Sequence, residues 1–165
     1  MFVRGFAIAT LLALISNAAI GQTIKRVEIT DFGIYSLDEG KLISSPTTAA
    51  GFRREVDNIK LTNATDTAPA RLGVHFGFRY RIVGKKGAIV TLEKVTLIPQ
   101  PGIQNPNTGE TKLRSESSFP TDAGAILYAG YTFTYPWEIV PGVWTMELWD
   151  GDRKLASQSF NVVKP

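Results

Sequence analysis

The plainest pattern in the chain runs over residues 71–83. Leu72, Val74, Phe76, Phe78, Tyr80 and Ile82 take every even position, while Arg71, Gly73, His75, Gly77, Arg79 and Arg81 take the odd ones. Alternation of that length has the period of a strand, not of a helix. Successive side chains of a strand point to opposite faces, so the even set is expected to meet a core and the odd set solvent or a partner.

Two further segments alternate with a break. Over 24–35 the apolar parity changes from Val27 and Ile29 to Phe32 and Ile34; over 89–98 it changes from Val90 and Leu92 to Val95 and Leu97. A one-residue phase change inside a strand predicts a β-bulge in each. Strands are also expected over 58–62, 111–117, 127–135, 142–149 and 154–163, giving eight strands and no helix. Residues 36–57 and 99–109 read as loops by their Pro, Gly, Asn and Ser content, the first with room for a short edge strand near Lys41 to Ile43.

The last two strands allow a register argument. Pairing Trp144 with Phe160, Met146 with Gln158 and Leu148 with Ala156 keeps the large apolar side chains on one face. A two-residue loop would put Ser159 opposite Trp144 and turn Phe160 outward, so a three-residue, bulged turn, Gly151-Asp152-Arg153, with a positive-φ residue is expected. Short strands at regular spacing predict an all-β fold, an immunoglobulin-like antiparallel β-sandwich of about seven to eight strands, with a small barrel as the alternative.

The N-terminus has a different character. Arg4 precedes an apolar run from Phe6 to Ile15, followed by small residues ending Ala19-Ile20-Gly21. This predicts a signal peptide over 1–21, cut between Gly21 and Gln22, and one domain over 22–165, exported to the periplasm or beyond. The run is shorter than the roughly 20 residues that a spanning helix needs, so no membrane span is expected after cleavage.

Composition narrows the chemistry. Cysteine is absent and His75 is the one histidine, which removes disulfides, thiol nucleophiles and any multi-histidine metal site; no metal or cofactor is expected. Basic and acidic residues number 18 and 15 without a basic block, so nucleic acid is not an expected partner. A serine triad would need His75 as base, and no Gly-x-Ser-x-Gly elbow or phosphate loop accompanies it.

Three blocks of the chain bear a resemblance. Val27-Glu28-Ile29-Thr30-Asp31-Phe32-Gly33-Ile34-Tyr35, the run Ala70-Arg71-Leu72-Gly73-Val74-His75-Phe76-Gly77-Phe78-Arg79-Tyr80, and Pro136-Trp137-Glu138-Ile139-Val140-Pro141-Gly142-Val143-Trp144 through Gly151-Asp152-Arg153-Lys154-Leu155-Ala156-Ser157-Gln158-Ser159-Phe160 are similar to an uncharacterised family of exported bacterial proteins, domain-of-unknown-function family thirty-eight fifty-nine. The resemblance implies a secreted or periplasmic setting and brings no activity or catalytic residues.

Candidate contacts come from the residues themselves. Arg71, His75, Arg79 and Arg81 share one strand face with two glycines, which suggests a basic platform for an anionic group. The plainer reading pairs these arginines with carboxylates such as Glu93, Glu116 or Glu147. Of the tryptophans, Trp144 and Trp137 are expected in the core and Trp149, sharing a face with Glu147, at the surface as a possible sugar platform. Asp150-Gly151-Asp152 reads as a turn and not a calcium loop. The expectation is an exported, non-catalytic binding or accessory module of the envelope with a protein or glycan partner. A carbohydrate- or anion-binding domain is second, and a hydrolase using paired carboxylates third.

Overall fold

A computed structural model describes residues 24–165; the predicted leader, 1–21, lies outside the described residues. In chain order the strands are β1 (Ile24–Ser44), β2 (Phe52–Asn63), β3 (Thr67–Pro69), β4 (His75–Gly84), β5 (Ile89–Leu97), β6 (Ile103–Gln104), β7 (Thr111–Lys112), β8 (Arg114–Asp122), β9 (Ile126–Thr132), β10 (Gly142–Asp150) and β11 (Arg153–Val163). One sheet has the order β2-β1-β4-β9 and the other β3-β11-β10-β5-β8, with β6 and β7 as a separate small ladder. Neighbours are antiparallel except β3, which runs parallel to β11. The fold is an all-β, immunoglobulin-like sandwich.

The even positions of β4 behave as their alternation requires. Phe76, Phe78, Tyr80 and Ile82 are buried and meet Trp144, Met146, Leu148 and Phe160 from the opposite sheet in one core. Phe76 joins the layers, its ring 5.7 Å from Trp144, 5.5 Å from Phe160 and 5.3 Å from Phe133. The pattern overreaches at its start. Residues 71–73 form a turn, Leu72 is 47% exposed, and β4 begins only at His75. Arg71 is thereby placed off the strand that it was expected to share with His75, Arg79 and Arg81.

One predicted bulge exists and the other does not. In β1 the register slips between Ile29 and Asp31 against β4, as the parity change implies. In β5 the pairing with β8 and β10 is continuous. There Val90, Leu92, Lys94 and Thr96 stay on one face, so the change of apolar parity marks polar side chains facing inward, not a kink.

The C-terminal hairpin has the expected register, with Trp144 opposite Phe160 and Leu148 opposite Ala156. Its turn differs. Asp150 pairs with Arg153 around the two residues Gly151 and Asp152, with Gly151 at φ 56°, and the odd residue is a bulge at Leu155, between the pairs Leu148–Ala156 and Trp149–Lys154. Moving the extra residue from the loop into the strand preserves the facing of Phe160.

Residues 36–57, expected to be mostly loop, are largely strand. β1 continues past its last pair with β4, Tyr35 opposite His75, and pairs with β2 out to Ser44 opposite Phe52. The two strands satisfy each other's backbone groups and leave the sheet as an arm, so neither needs one apolar face. The tip of the arm crosses to the second sheet. Thr47 Oγ1 donates to the Glu116 carbonyl at 2.7 Å, the Ala49 N–H donates to Ser115 Oγ at 3.0 Å, and Asn105 Nδ2 donates to the Ala50 carbonyl at 3.0 Å.

Candidate functional site

The arm matters because it roofs a gap. β9 and β8 are edge strands of opposite sheets, and between them lies a cavity of about 350 Å³ bounded by the start of β2. Its walls are supplied by inward positions, Lys94 and Thr96 of β5, Ser115, Ser117 and Phe119 of β8, Tyr131 of β9, and Phe52 and Arg54 of β2, with the exposed Arg53 at its border. Such a volume lies at the small end of the range of about 300–1,000 Å³ typical of ligand pockets.

Lys94 is the group that the fold leaves most exposed energetically. Its Nζ donates to the Gly130 carbonyl of β9 at 3.2 Å, its only hydrogen bond among the described residues. Burial pushes its amine down to about 8, and the neighbouring Arg53 charge adds to the effect. No carboxylate opposes that shift.

Glu138, in the short 3-10 turn Pro136–Glu138, closes another wall and is only 1% exposed. Tyr131 donates its hydroxyl to Glu138 Oε2 at 2.7 Å, and the Tyr135 N–H donates to Oε1 at 2.9 Å. Burial raises the carboxyl above its ordinary value, with these hydrogen bonds opposing. Both oxygens are therefore occupied. Arg54 Nη1 lies 3.1 Å from Glu39 Oε2 and donates to the Gly40 carbonyl at 3.2 Å, while its buried Nε has no partner among the described residues.

Two aromatic residues extend the wall outward. Phe52 meets Tyr135 edge-on at 5.8 Å, and Tyr135 stacks on Trp137 at 5.6 Å with an interplanar angle of 6°. Trp137 packs against the core as expected but is only half-buried; Trp144 is fully buried.

The residues singled out from sequence do not assemble into one platform. Arg79 is tied to Asp31 by Nη2 at 2.5 Å and Nε at 2.9 and 3.0 Å, and Tyr35 donates to the same carboxylate at 2.6 Å. Its partner is therefore Asp31, not Glu93, Glu116 or Glu147. His75 Nδ1 lies 2.8 Å from Thr132 Oγ1 and Nε2 lies 3.9 Å from Glu39. Burial lowers the imidazole below its ordinary value, Glu39 works against this and Arg54 with it. Arg81 is exposed on the same strand, and Arg71 is exposed in the preceding turn. Trp149 is half-buried: its indole N–H donates to Glu147 at 2.9 Å, and Lys154 Nζ sits 5.1 Å from the ring centre while bonding Glu147 at 2.5 Å.

Between His75 and Arg79 the face is closed by a close approach. Gly77 is opposite Gly130. A Cβ at Gly77 would overlap the Ala129 carbonyl, and one at Gly130 would overlap the Tyr128 ring that lies across it. Gly130 makes room for that tyrosine and Gly77 for the backbone of β9, neither for a ligand.

Residues 24–162 match the model of a domain of unknown function, DUF3859. The chain belongs to the DUF3859 family. This DUF3859 chain is also similar to the crystal structure of an immunoglobulin-like protein (PA1606) from Pseudomonas aeruginosa, with 25% identity and a TM-score of 0.60 over 86% of this chain and 100% of that one. No curated protein matches the sequence.

Proposed function

We propose that this DUF3859 domain is an exported, non-catalytic binding module of the bacterial envelope, with the cavity between β8 and β9 as its ligand seat. The observation behind this reading is the lining: a fold able to fill the gap with apolar side chains instead places Lys94, Thr96, Ser115 and Ser117 there. Buried polar groups cost stability unless partnered, and sites that spend stability are commonly functional. A binding role is favoured over hydrolysis because Glu138, the buried carboxylate of the wall, has both oxygens engaged. The leader supports export.

The Arg79 face and Trp149 are weaker seats, since both are already satisfied by Asp31 and by Glu147 with Lys154. Amide resonance mapping with a panel of soluble envelope components tests the seat. Shifts centred on Lys94, Ser117 and Gly130 are expected; shifts confined to Arg79, Arg81 or Trp149 would move the site. Cell fractionation with N-terminal sequencing tests export, the expected first residue being Gln22.

A further inference from the structure

We propose that the cavity takes a hydroxylated carboxylate of monosaccharide size, a uronic-acid-like molecule, with its carboxylate on Lys94 and its hydroxyls on the surrounding Ser and Thr side chains. The proposal rests on the cavity being the ligand seat and adds the class of ligand. An ammonium has three donors, and Lys94 uses one, on Gly130. The hydroxyls of Thr96, Ser117 and Thr134 line the same space and make no side-chain hydrogen bond among the described residues. A carboxylate answers the first deficit and ring hydroxyls the second.

Charge selects the sign of the ligand. The ionisable groups around Lys94 are Arg53, Arg54 and Glu55 of β2, Tyr128 and Tyr131 of β9, and Glu138 of the 3-10 turn. Glu138 is held by Tyr131 and backbone and Arg54 by Glu39, while Arg53 and Glu55 are both exposed side chains of β2, which leaves Lys94 as the uncompensated cation inside the cavity. Phe52, Phe119 and Tyr128 give apolar walls against which a sugar ring packs. With a desolvated amine near 8, anion binding at that pH also draws a proton onto Lys94.

The test is titration calorimetry of the mature chain with glucuronate, glucose and inorganic phosphate at pH 8, in two buffers of different ionisation enthalpy, alongside resonance mapping. Glucuronate is expected to bind at least 10-fold tighter than glucose or phosphate, with net proton uptake. Lys94→Met is expected to abolish the uptake and bring glucuronate down to glucose. Equal binding of glucose and glucuronate, with shifts at Ser117 and Gly130, overturns the carboxylate assignment and leaves the seat standing. Equal or tighter phosphate binding overturns the sugar assignment. Binding of glucuronate without shifts in the cavity overturns both the ligand class and the seat, and absence of binding by all three overturns the ligand class.

Discussion

Lys94 of one sheet donates to the backbone carbonyl of Gly130 of the other, 3.2 Å away, across a cavity whose walls mix Phe52 and Phe119 with Thr96, Ser115 and Ser117. That single hydrogen bond joins β5, the strand beside edge strand β8, to edge strand β9. No carboxylate offsets the lost hydration of the ammonium that makes it, Glu138 being engaged by Tyr131 and backbone.

Replacing Lys94 by Met is therefore expected to stabilise the fold. The folded amine near 8 lies below the ordinary 10.5, so the folded state holds its proton less tightly than the unfolded one. The penalty is complete below about 8 and fades as pH rises towards 10.5. Urea unfolding at pH 7 is expected to show Lys94→Met ahead by on the order of 1–3 kcal/mol. The gap should narrow by pH 9.5; a constant gap would mean that packing, not charge, sets it.

Asp31 and Arg79 give the opposite sign. The Arg79 hydrogen bonds hold the Asp31 carboxyl below its ordinary 3.8, with burial opposing. The resulting stability is present above that value and is lost as pH falls through the depressed one. Both side chains are partly exposed, so Asp31→Asn is expected to cost only about 1 kcal/mol at pH 7, with the difference from wild type vanishing in acid.

His75 adds a slope at mildly acidic pH. Its imidazole is lowered from 6.5, so the unfolded state takes up the proton first and stability falls as pH drops through 6.5. Glu138, raised from 4.5, opposes this by gaining stability on acidification. The informative quantity is the difference between wild type and His75→Gln from pH 7.5 to 5.5, which is expected to shrink as wild type loses its advantage.

Gly77→Ala is expected to be severe, more than about 2 kcal/mol, because the added methyl meets the Ala129 carbonyl and Gly130 backbone. Gly73→Ala serves as the contrast. Its φ of 72° makes it strained too, but nothing lies within 4 Å of the new Cβ, so the loss is expected to be smaller, about 1 kcal/mol. Thermal unfolding of the two variants checks the order.

The tryptophans divide by burial. Trp144 is fully enclosed and donates to the Val140 carbonyl at 2.7 Å, whereas Trp137 and Trp149 are half-buried. Iodide is expected to quench the latter two and spare the first, separable in Trp→Phe variants.

Much of the sandwich was legible because alternation is a strong local signal: Phe76, Phe78, Tyr80 and Ile82 identify their own face, and the Trp144–Phe160 register follows from parity. Of the arm only the short strand near Lys41 to Ile43 was legible, since 36–57 pair with one another outside the two-layer core and carry no one-sided pattern. The site had a signal that points two ways. Glu93-Lys94 breaks the apolar rhythm of β5, and such a break means either a bulge or polar residues facing inward; only the uninterrupted pairing to β8 and β10 decides between them. Arg79 misleads for a related reason. Its partner Asp31 lies 48 residues away, brought opposite by the bulge in β1.

The arm's fastening has a consequence for assembly. Its tip is held by partners 66 and 69 residues distant in the chain, and contacts that span such lengths close only after the entropy of the intervening segment has been spent. The layered core supplies most of the buried apolar surface without them. The docked residues 45–51, held by a few hydrogen bonds and not by the bulk of the core, are therefore expected to open before the sheets do, and their amides should exchange with deuterated solvent sooner than those of β4 and β10. The cavity between β8 and β9 would then be lost first in mild denaturant, while Trp144 remains enclosed.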